Sequence, residues 1–473
     1  MLSNAGTCID ILAPYFATQY IGNQEGARDN LRKPSWEAEV LIHLKLDNFK
    51  IWRSTGPIDL APVTLLLGTN SSGKSSLIQS LLLLRQTVKG DDPNEDLNLG
   101  NPDTGDSVTL GRFEDVLCRH GAGRKIGVEF RWSAEGSPAG STLFSAKYRA
   151  GPAGSAELDT LRLGRDGRGF TVTRRKPGVY ALLLADERRS RGQRREFRPE
   201  RSFALSPAAL ARLGEDGDSL REVGPALLEE LSRILYLGPV RRLAERDYVW
   251  SGRMPGTLGD DGARAVDALI ASGIAAQREQ KRGDSPSDDS RLFRQTIHWL
   301  RQMDLADGLV VRTLGRSARH ELLVERAGER SNLKDVGVGV SQVLPVIVAA
   351  LYAAPGHIVI VEEPESHLHP LAAALLAELF AVVSKERGVQ FLVETHSEHL
   401  FRRMQTLIAR GTVTTRDCAM YFLERDGPGA RIVTLEADEN GRIKNWPEGF
   451  FGNVLGETHE QMRLALDRQK EKG

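Results

Sequence analysis

The sequence predicts an α/β fold: a mixed sheet assembled from both ends of the chain, with an antiparallel β subdomain and a long α-rich insertion. Three observations carry this. The apolar run Val63 to Leu67 leads into Gly68-Thr69-Asn70-Ser71-Ser72-Gly73-Lys74-Ser75 and then into apolar Leu77 to Leu84, the strand, glycine loop and helix order of a phosphate-binding P-loop. Much later, His357 to Val361 and Val389 to Val393 read as buried strands, alternating with helix-like Leu371 to Val383 and Glu398 to Ile408, the rhythm of a parallel sheet. Between them, Gly127 to Trp132, Leu143 to Tyr148 and Gly169 to Thr173 are β-like runs separated by glycine- and proline-rich turns, which suggests an antiparallel meander.

Taken in order, residues 1–39 are mixed and poorly periodic and read as an extension outside the core fold. Residues 40–180 form a first lobe, opened by the alternating strand Val40 to Phe49 and holding the P-loop and the meander. Residues 181–320 read as the insertion. Within it Pro207 to Ile234 is helical by the spacing of Leu210, Leu213, Leu220, Val223, Leu227, Leu228, Leu231 and Ile234, with Ser206 as N-cap, Pro207 at the first position and a break at Gly224-Pro225. Arg278 to Ser290 is charged and apolar-poor and reads as a mobile loop or linker. Residues 321–425 form the second lobe and residues 426–473 a C-terminal tail.

Of 473 residues, 40% are hydrophobic and 27% charged, with 63 basic against 63 acidic side chains. That is ordinary globular composition with no bulk pull toward a polyanion, so any nucleic-acid contact must come from a local patch. Cys8, Cys118 and Cys418 are few and widely spaced, which argues against a disulfide framework or thiolate metal site and for the reducing cytosol. Val336 to Pro355 carries no charge, but Gly337, Gly339, Ser341, Gln342 and Pro345 interrupt it, so it reads as a buried helix with its approach rather than a membrane span. No secretory leader is visible in the opening residues.

The chemistry concentrates at three places. In the P-loop, the backbone N–H groups of Asn70, Ser71, Ser72, Gly73, Lys74, Ser75 and Ser76 converge on phosphates at a helix N-terminus. Lys74 would reach the β- and γ-phosphates of ATP, and Ser75 would hold Mg²⁺ through its hydroxyl. The apolar strand ending at Val361 runs into Glu362-Glu363-Pro364; the first acid is assigned to organise the metal and the second to polarise the attacking water. Adjacent strand residues point oppositely, so Glu363 must sit where strand turns to loop. A further apolar strand ends in Glu394-Thr395-His396-Ser397, where His396 can sense the γ-phosphate. Gly337 to Gln342 begins a helix-like run, and Gly339 and Ser341 there can bind an anion, including a phosphate on a facing subunit.

These motifs resemble ABC-type ATPase heads of the RecF, SMC and OLD lineage, and more closely bacterial AAA-type ATPases that join such a head to a short C-terminal domain of uncharacterised role. The matching text is Leu46-Asp47-Asn48-Phe49-Lys50, the P-loop through Ser76, Asp335 to Pro345, Val361 to Pro370, Glu394 to Ser397, and Trp446-Pro447-Glu448-Gly449-Phe450-Phe451. It covers about residues 40 to 130 and 230 to 455. The resemblance implies an ABC-type head whose ATP and Mg²⁺ lie between two copies, the P-loop of one facing Gly339 and Ser341 of the other. The chain departs from the pattern in carrying Glu362 rather than aspartate and in lacking an obvious Q-loop glutamine, a place near Asp115, Arg119 and His120.

Too little chain follows His396 for the TOPRIM nuclease of OLD-type relatives; Glu424, Asp426, Glu436, Asp438 and Glu439 suit a solvated hairpin equally. Arg174, Arg175, Lys176, Arg188, Arg189, Arg191, Arg194, Arg195, Arg198 and Arg201, interleaved with Glu187, Glu196 and Glu200, read either as a grip on double-stranded DNA or as a self-neutralising loop. Arg241, Arg242 and Arg246 are a second patch, or packing or dimer residues. The resemblance implies a cytoplasmic ATPase, at least a dimer, that switches a DNA-bound or effector-bound state in anti-phage defence with an operon-encoded effector. A RecF-like repair ATPase and an ATP-binding scaffold restraining a toxin are the alternatives.

Overall fold

The computed structural model describes residues 39–447, apart from 91, 122, 135–140, 188 and 189. Of the N-terminal extension only its last residue is described. Glu448 to Phe451 of the tail motif, and Arg188 and Arg189, also lie outside the described residues.

Strand β1 (Glu39–Phe49) opens the fold, followed by β2 (Trp52–Ser54), β3 (Ile58–Asp59) and β4 (Val63–Gly68). The P-loop then leads into α1 (Lys74–Lys89), and after the short α2 (Phe113–Val116) comes the meander of β5 (Lys125–Ala134), β6 (Thr142–Ala150), β7 (Ala156–Arg165), β8 (Arg168–Lys176), β9 (Val179–Leu184) and β10 (Gln193–Arg194). The small pair β11 (Pro199–Glu200) and β12 (Ala204–Leu205) precedes α3 (Pro207–Leu213), α4 (Glu215–Leu220) and α5 (Val223–Ser232). The chain continues with β13 (Ile234–Leu237), β14 (Tyr248–Val249), α6 (Ala265–Arg282), α7 (Asp288–Gln302), β15 (Gly308–Thr313), β16 (Arg319–Arg326) and β17 (Glu329–Asn332). It closes with α8 (Val338–Tyr352), β18 (Ile358–Glu362), α9 (Pro370–Arg387), β19 (Gln390–Glu394), α10 (Glu398–Ala409), β20 (Cys418–Asp426) and β21 (Gly429–Thr434).

The central sheet runs β13-β18-β19-β4-β20-β21, parallel throughout except for the last hairpin. Its strands read as unbroken apolar runs because both faces are covered. Alternate side chains feed two cores: Val63, Leu65, Val359, Val361, Phe391 and Val393 pack with Val343, Phe380 and Phe401 of α8, α9 and α10, whereas Leu66, Ile360 and Leu392 pack with Leu77 and Leu81 of α1. That second core is roofed by the antiparallel sheet β10-β9-β8-β7-β6-β5-β1-β2, which buries Phe130, Trp132, Phe144 and Tyr148 on its inner face.

Three expectations are corrected. Pro207 to Ile234 is helical with an earlier break than expected: Gly214, with φ 59 and ψ −129, separates α3 from α4, and Ile234 already belongs to β13. A second break falls at Arg221-Glu222, just ahead of the expected Gly224-Pro225, because Pro225 falls in the first turn of α5, where the N–H it lacks would be unpaired anyway. Arg278 to Ser290 is no loose linker: α6 runs to Arg282, Gly283 ends it at φ 72, and Asp288 begins α7. Glu279 ties the turn together, accepting from Ser290 Oγ at 2.6 Å and Arg294 Nη1 at 3.0 Å. The region read as an α-rich insertion also holds β13, which pairs with β18 in the central sheet, and β14 and β15 of the antiparallel β14-β16-β15 sheet. Among the described residues no helix is long and apolar enough to cross a membrane.

Candidate nucleotide and cation site

The site forms where β4, β18 and β19 end side by side. Gly68 at the end of β4 has φ 143, and a Cβ there would lie 2.0 Å from Leu423 O on β20, so only glycine lets the loop leave between the strands. Gly73 has φ 99 and sits against the Trp52 ring, whose Nε1 donates to Gly73 O at 3.2 Å. Asn70 and Ser71 are exposed at the loop tip, with Ser71 at φ 60, while Ser72, Gly73 and Lys74 are buried and Ser75 and Ser76 half-buried. Lys74 is 3% exposed. Its Nζ donates to Thr69 O at 2.9 Å and Gly68 O at 3.1 Å and lies 3.7 Å from Glu394 Oε1. Burial pulls its pKa down against the opposing pull of Glu394, Glu363 and Glu362.

Glu362 ends β18 and is in register with Glu394 at the end of β19, which brings both carboxyls to the same sheet face. Tyr236 OH on β13 donates to Glu362 Oε1 at 2.6 Å, and Ser75 Oγ donates to Glu394 Oε1 at 3.2 Å. Burial raises the pKa of both acids, and the charge of Glu362 helps push Glu394 up to about 8. Glu363 leaves the pleat in a left-handed conformation, φ 45, its N–H donating to Glu394 O at 2.8 Å and its Oε2 accepting from Ser366 Oγ at 3.1 Å. This is the strand-to-loop position its assignment requires. Arg241 Nη2 clamps the turn by donating to Glu362 O at 2.7 Å and Glu363 O at 3.0 Å.

His396 follows β19, its backbone N–H donating to Glu365 Oε1 at 2.8 Å. Burial and the nearby Lys74 charge lower the pKa of its imidazole, which favours the neutral ring at neutral pH. Ser397 caps α10 by accepting from Leu400 N at 3.2 Å. Gly339 and Ser341 lie elsewhere, in the first turns of α8: Ser341 Oγ donates to Val338 O at 3.0 Å, and a Cβ on Gly339 would meet His367 O at 3.0 Å. The structure thus gathers Lys74, Ser75, Glu362, Glu363 and His396 around the loop and leaves Gly339 and Ser341 on a separate element.

Reading from sequence missed Tyr236, Arg241 and Glu394 as parts of this site. Glu394 was visible as the last residue of an apolar strand, but its register opposite Glu362 was not. Of the residues near the Q-loop place, Asp115 is used locally, its Oδ2 accepting from Arg112 N at 3.0 Å, and His120 O accepts from Arg53. Of the acids after His396, Glu424 pairs with Arg431 across the β20–β21 hairpin, and Asp438 accepts from Asn440 N and Arg442 N at 2.9 Å. Among the described residues no group of three or more His, Cys, Asp or Glu side chains could hold a metal. A cleft of about 760 Å³ opens away from the P-loop, at the far end of α1, where Arg85 and Asp260 pair at 3.0 Å.

The donor set fits a nucleotide phosphate with Mg²⁺. Backbone N–H groups, a buried ammonium, a serine hydroxyl and carboxylates are the partners that pair requires, and buried Ser72 Oγ has no hydrogen-bond partner among the described residues. Fold and site define a P-loop head, a mixed α/β sheet with an antiparallel β subdomain. Comparison with known families agrees in part: residues 191–402 match the model described as "AAA domain, putative AbiEii toxin, Type IV TA system", and residues 413–461 match a protein family of unknown function, DUF3696. The first match includes Glu362, Glu363 and His396 and begins after the P-loop. Among solved structures, an SMC head bound to the C-winged helix domain of ScpA is similar at 13% identity and TM-score 0.45, covering 84% of this chain and 98% of that one. The SMC head domain from Thermotoga maritima is similar at 14% identity and TM-score 0.39, covering 84% and 99%. No curated protein matches the chain.

Proposed function

We propose that this protein binds and hydrolyses ATP between two copies of its head, and that closure of the pair switches an effector-bound or DNA-bound state. The observation that supports this best is the meeting of Lys74, Ser75, Glu362 and Glu363 at the adjoining ends of β4, β18 and β19. Lys74 moves from the Gly68 and Thr69 carbonyls onto the phosphates. Ser75 and Glu362 would hold Mg²⁺, which when bound would neutralise phosphate charge. Glu363 orients the attacking water and accepts its proton, and neutral His396 donates a hydrogen bond to the γ-phosphate. Gly339 and Ser341 at the α8 N-terminus meet the nucleotide of the second copy. The setting is cytoplasmic anti-phage defence with a separately encoded effector; the matching family's description, which names a putative toxin of a type IV toxin–antitoxin system, supports such a setting.

The test is Mg²⁺-dependent ATP hydrolysis by wild type and Glu363→Gln, each with and without double-stranded DNA. Glu363→Gln is expected to lower kcat by about 10²-fold or more, with ATP then shifting the variant to a dimer in light scattering. Equal rates for the two proteins would remove Glu363 from catalysis. Stimulation by DNA assigns the switch to DNA; indifference to DNA assigns it to a protein effector.

A further inference from the structure

We propose that Glu394 is a third residue of the divalent-cation site, acting with Ser75 and Glu362; this rests on the ATPase reading above. Glu394 is 5% exposed and ends β19 in register with Glu362 on one side and Leu66, just before the P-loop, on the other. Its two oxygens have different surroundings. Oε1 accepts from Ser75 Oγ at 3.2 Å, which leaves the serine lone pairs free, and lies 3.7 Å from Lys74 Nζ. Oε2 is buried and receives no hydrogen bond from an N–H or hydroxyl group of the described residues, and the Glu362 carboxyl lies within hydrogen-bonding reach of Glu394.

Charge points the same way. Lys74 lies 3.7 Å from Glu394, and its charge acts on both Glu362 and Glu394. Arg241 Nη2 instead bonds the carbonyls of Glu362 and Glu363. When Lys74 turns to a phosphate, two buried carboxyls and a serine hydroxyl remain together, a hard oxygen set whose compensation is a divalent cation. A Glu394 serving only to anchor Lys74 and Ser75 would not need the Glu362 carboxyl within hydrogen-bonding reach, a pairing that a shared proton or a divalent cation compensates.

The experiment titrates the full chain calorimetrically with a non-hydrolysable ATP analogue, once in EDTA and once in saturating Mn²⁺. The ratio of the two Kd values measures what the cation adds. Glu394→Gln is expected to lower that ratio by about tenfold or more while the Kd in EDTA stays at the wild-type value, and Glu394→Asp should fall between. An unchanged ratio overturns the proposal. So does a Kd in EDTA weakened as much as the Kd in Mn²⁺, which would make Glu394 an anchor for Lys74. Should Glu394→Gln fail to fold, Glu394→Asp carries the same comparison. Failure of wild type to bind the analogue in either buffer would instead overturn the ATPase reading itself.

Discussion

At the scale of single residues, the site depends on a turn that an L-amino acid resists. Glu363 stands at φ 45, a conformation that costs on the order of 1 kcal/mol and persists only where neighbours impose it. Arg241 is one such neighbour: it is 4% exposed and bonds the carbonyls on both sides of the turn. Burial lowers its pKa to about 10, so it stays charged at neutral pH. Arg241→Met leaves those carbonyls without their donor and is expected to destabilise the protein by about 2–4 kcal/mol, read as a lower urea midpoint at unchanged slope. Stability at the wild-type value would mean that the Glu363 N–H bond to Glu394 O suffices. From sequence, Arg241 was one of three arginines that suited a nucleic-acid patch, packing or a dimer; its burial decides for packing.

At the scale of elements, α9 shows how closely sequence signals can predict a helix. His369 caps its start, accepting through Nδ1 from Leu371 N at 3.4 Å, Pro370 takes the first position, and Gly388 at φ 64 ends it. The helix anchors the central sheet through Phe380, whose ring lies 4.9 Å from that of Phe391 on β19. Phe380→Ala is expected to cost about 3–5 kcal/mol, measured as a lowered melting temperature, with analogue binding intact in the protein that remains folded. A loss below about 1 kcal/mol would show that α9 repacks without the ring. The turn between α6 and α7 shows the converse. Its charges looked like a solvated linker because the partners of Glu279 become neighbours only once the two helices fold back.

At the scale of the whole molecule, the two lobes come from distant stretches of chain, and three arginines of the arginine-rich segment prove to be paired. Arg174 meets Glu157 at 3.0 Å, Arg191 meets Asp216 at 2.6 Å and Arg198 meets Asp96 at 3.4 Å. Arg194 and Arg195 are exposed, with Arg194 on the edge strand β10. Charge on such an edge also discourages strand addition. If these two arginines grip phosphates, Arg194→Glu with Arg195→Glu should weaken double-stranded DNA binding and flatten the slope of log K against log salt by about 2. Unchanged affinity and slope would leave them as guards of the sheet edge.

The sequence by itself determined the P-loop, the order of acid and histidine strands, the burial of those strands and the antiparallel meander. Each of these is written in local apolar period or in a contiguous motif. Only the tertiary structure decided that β13 joins the central sheet and that Tyr236, Arg241 and Glu394 belong to the site. Strand register and the folding back of helices are set by packing between segments far apart in the chain, and no local pattern encodes which buried carboxyl will lie opposite another.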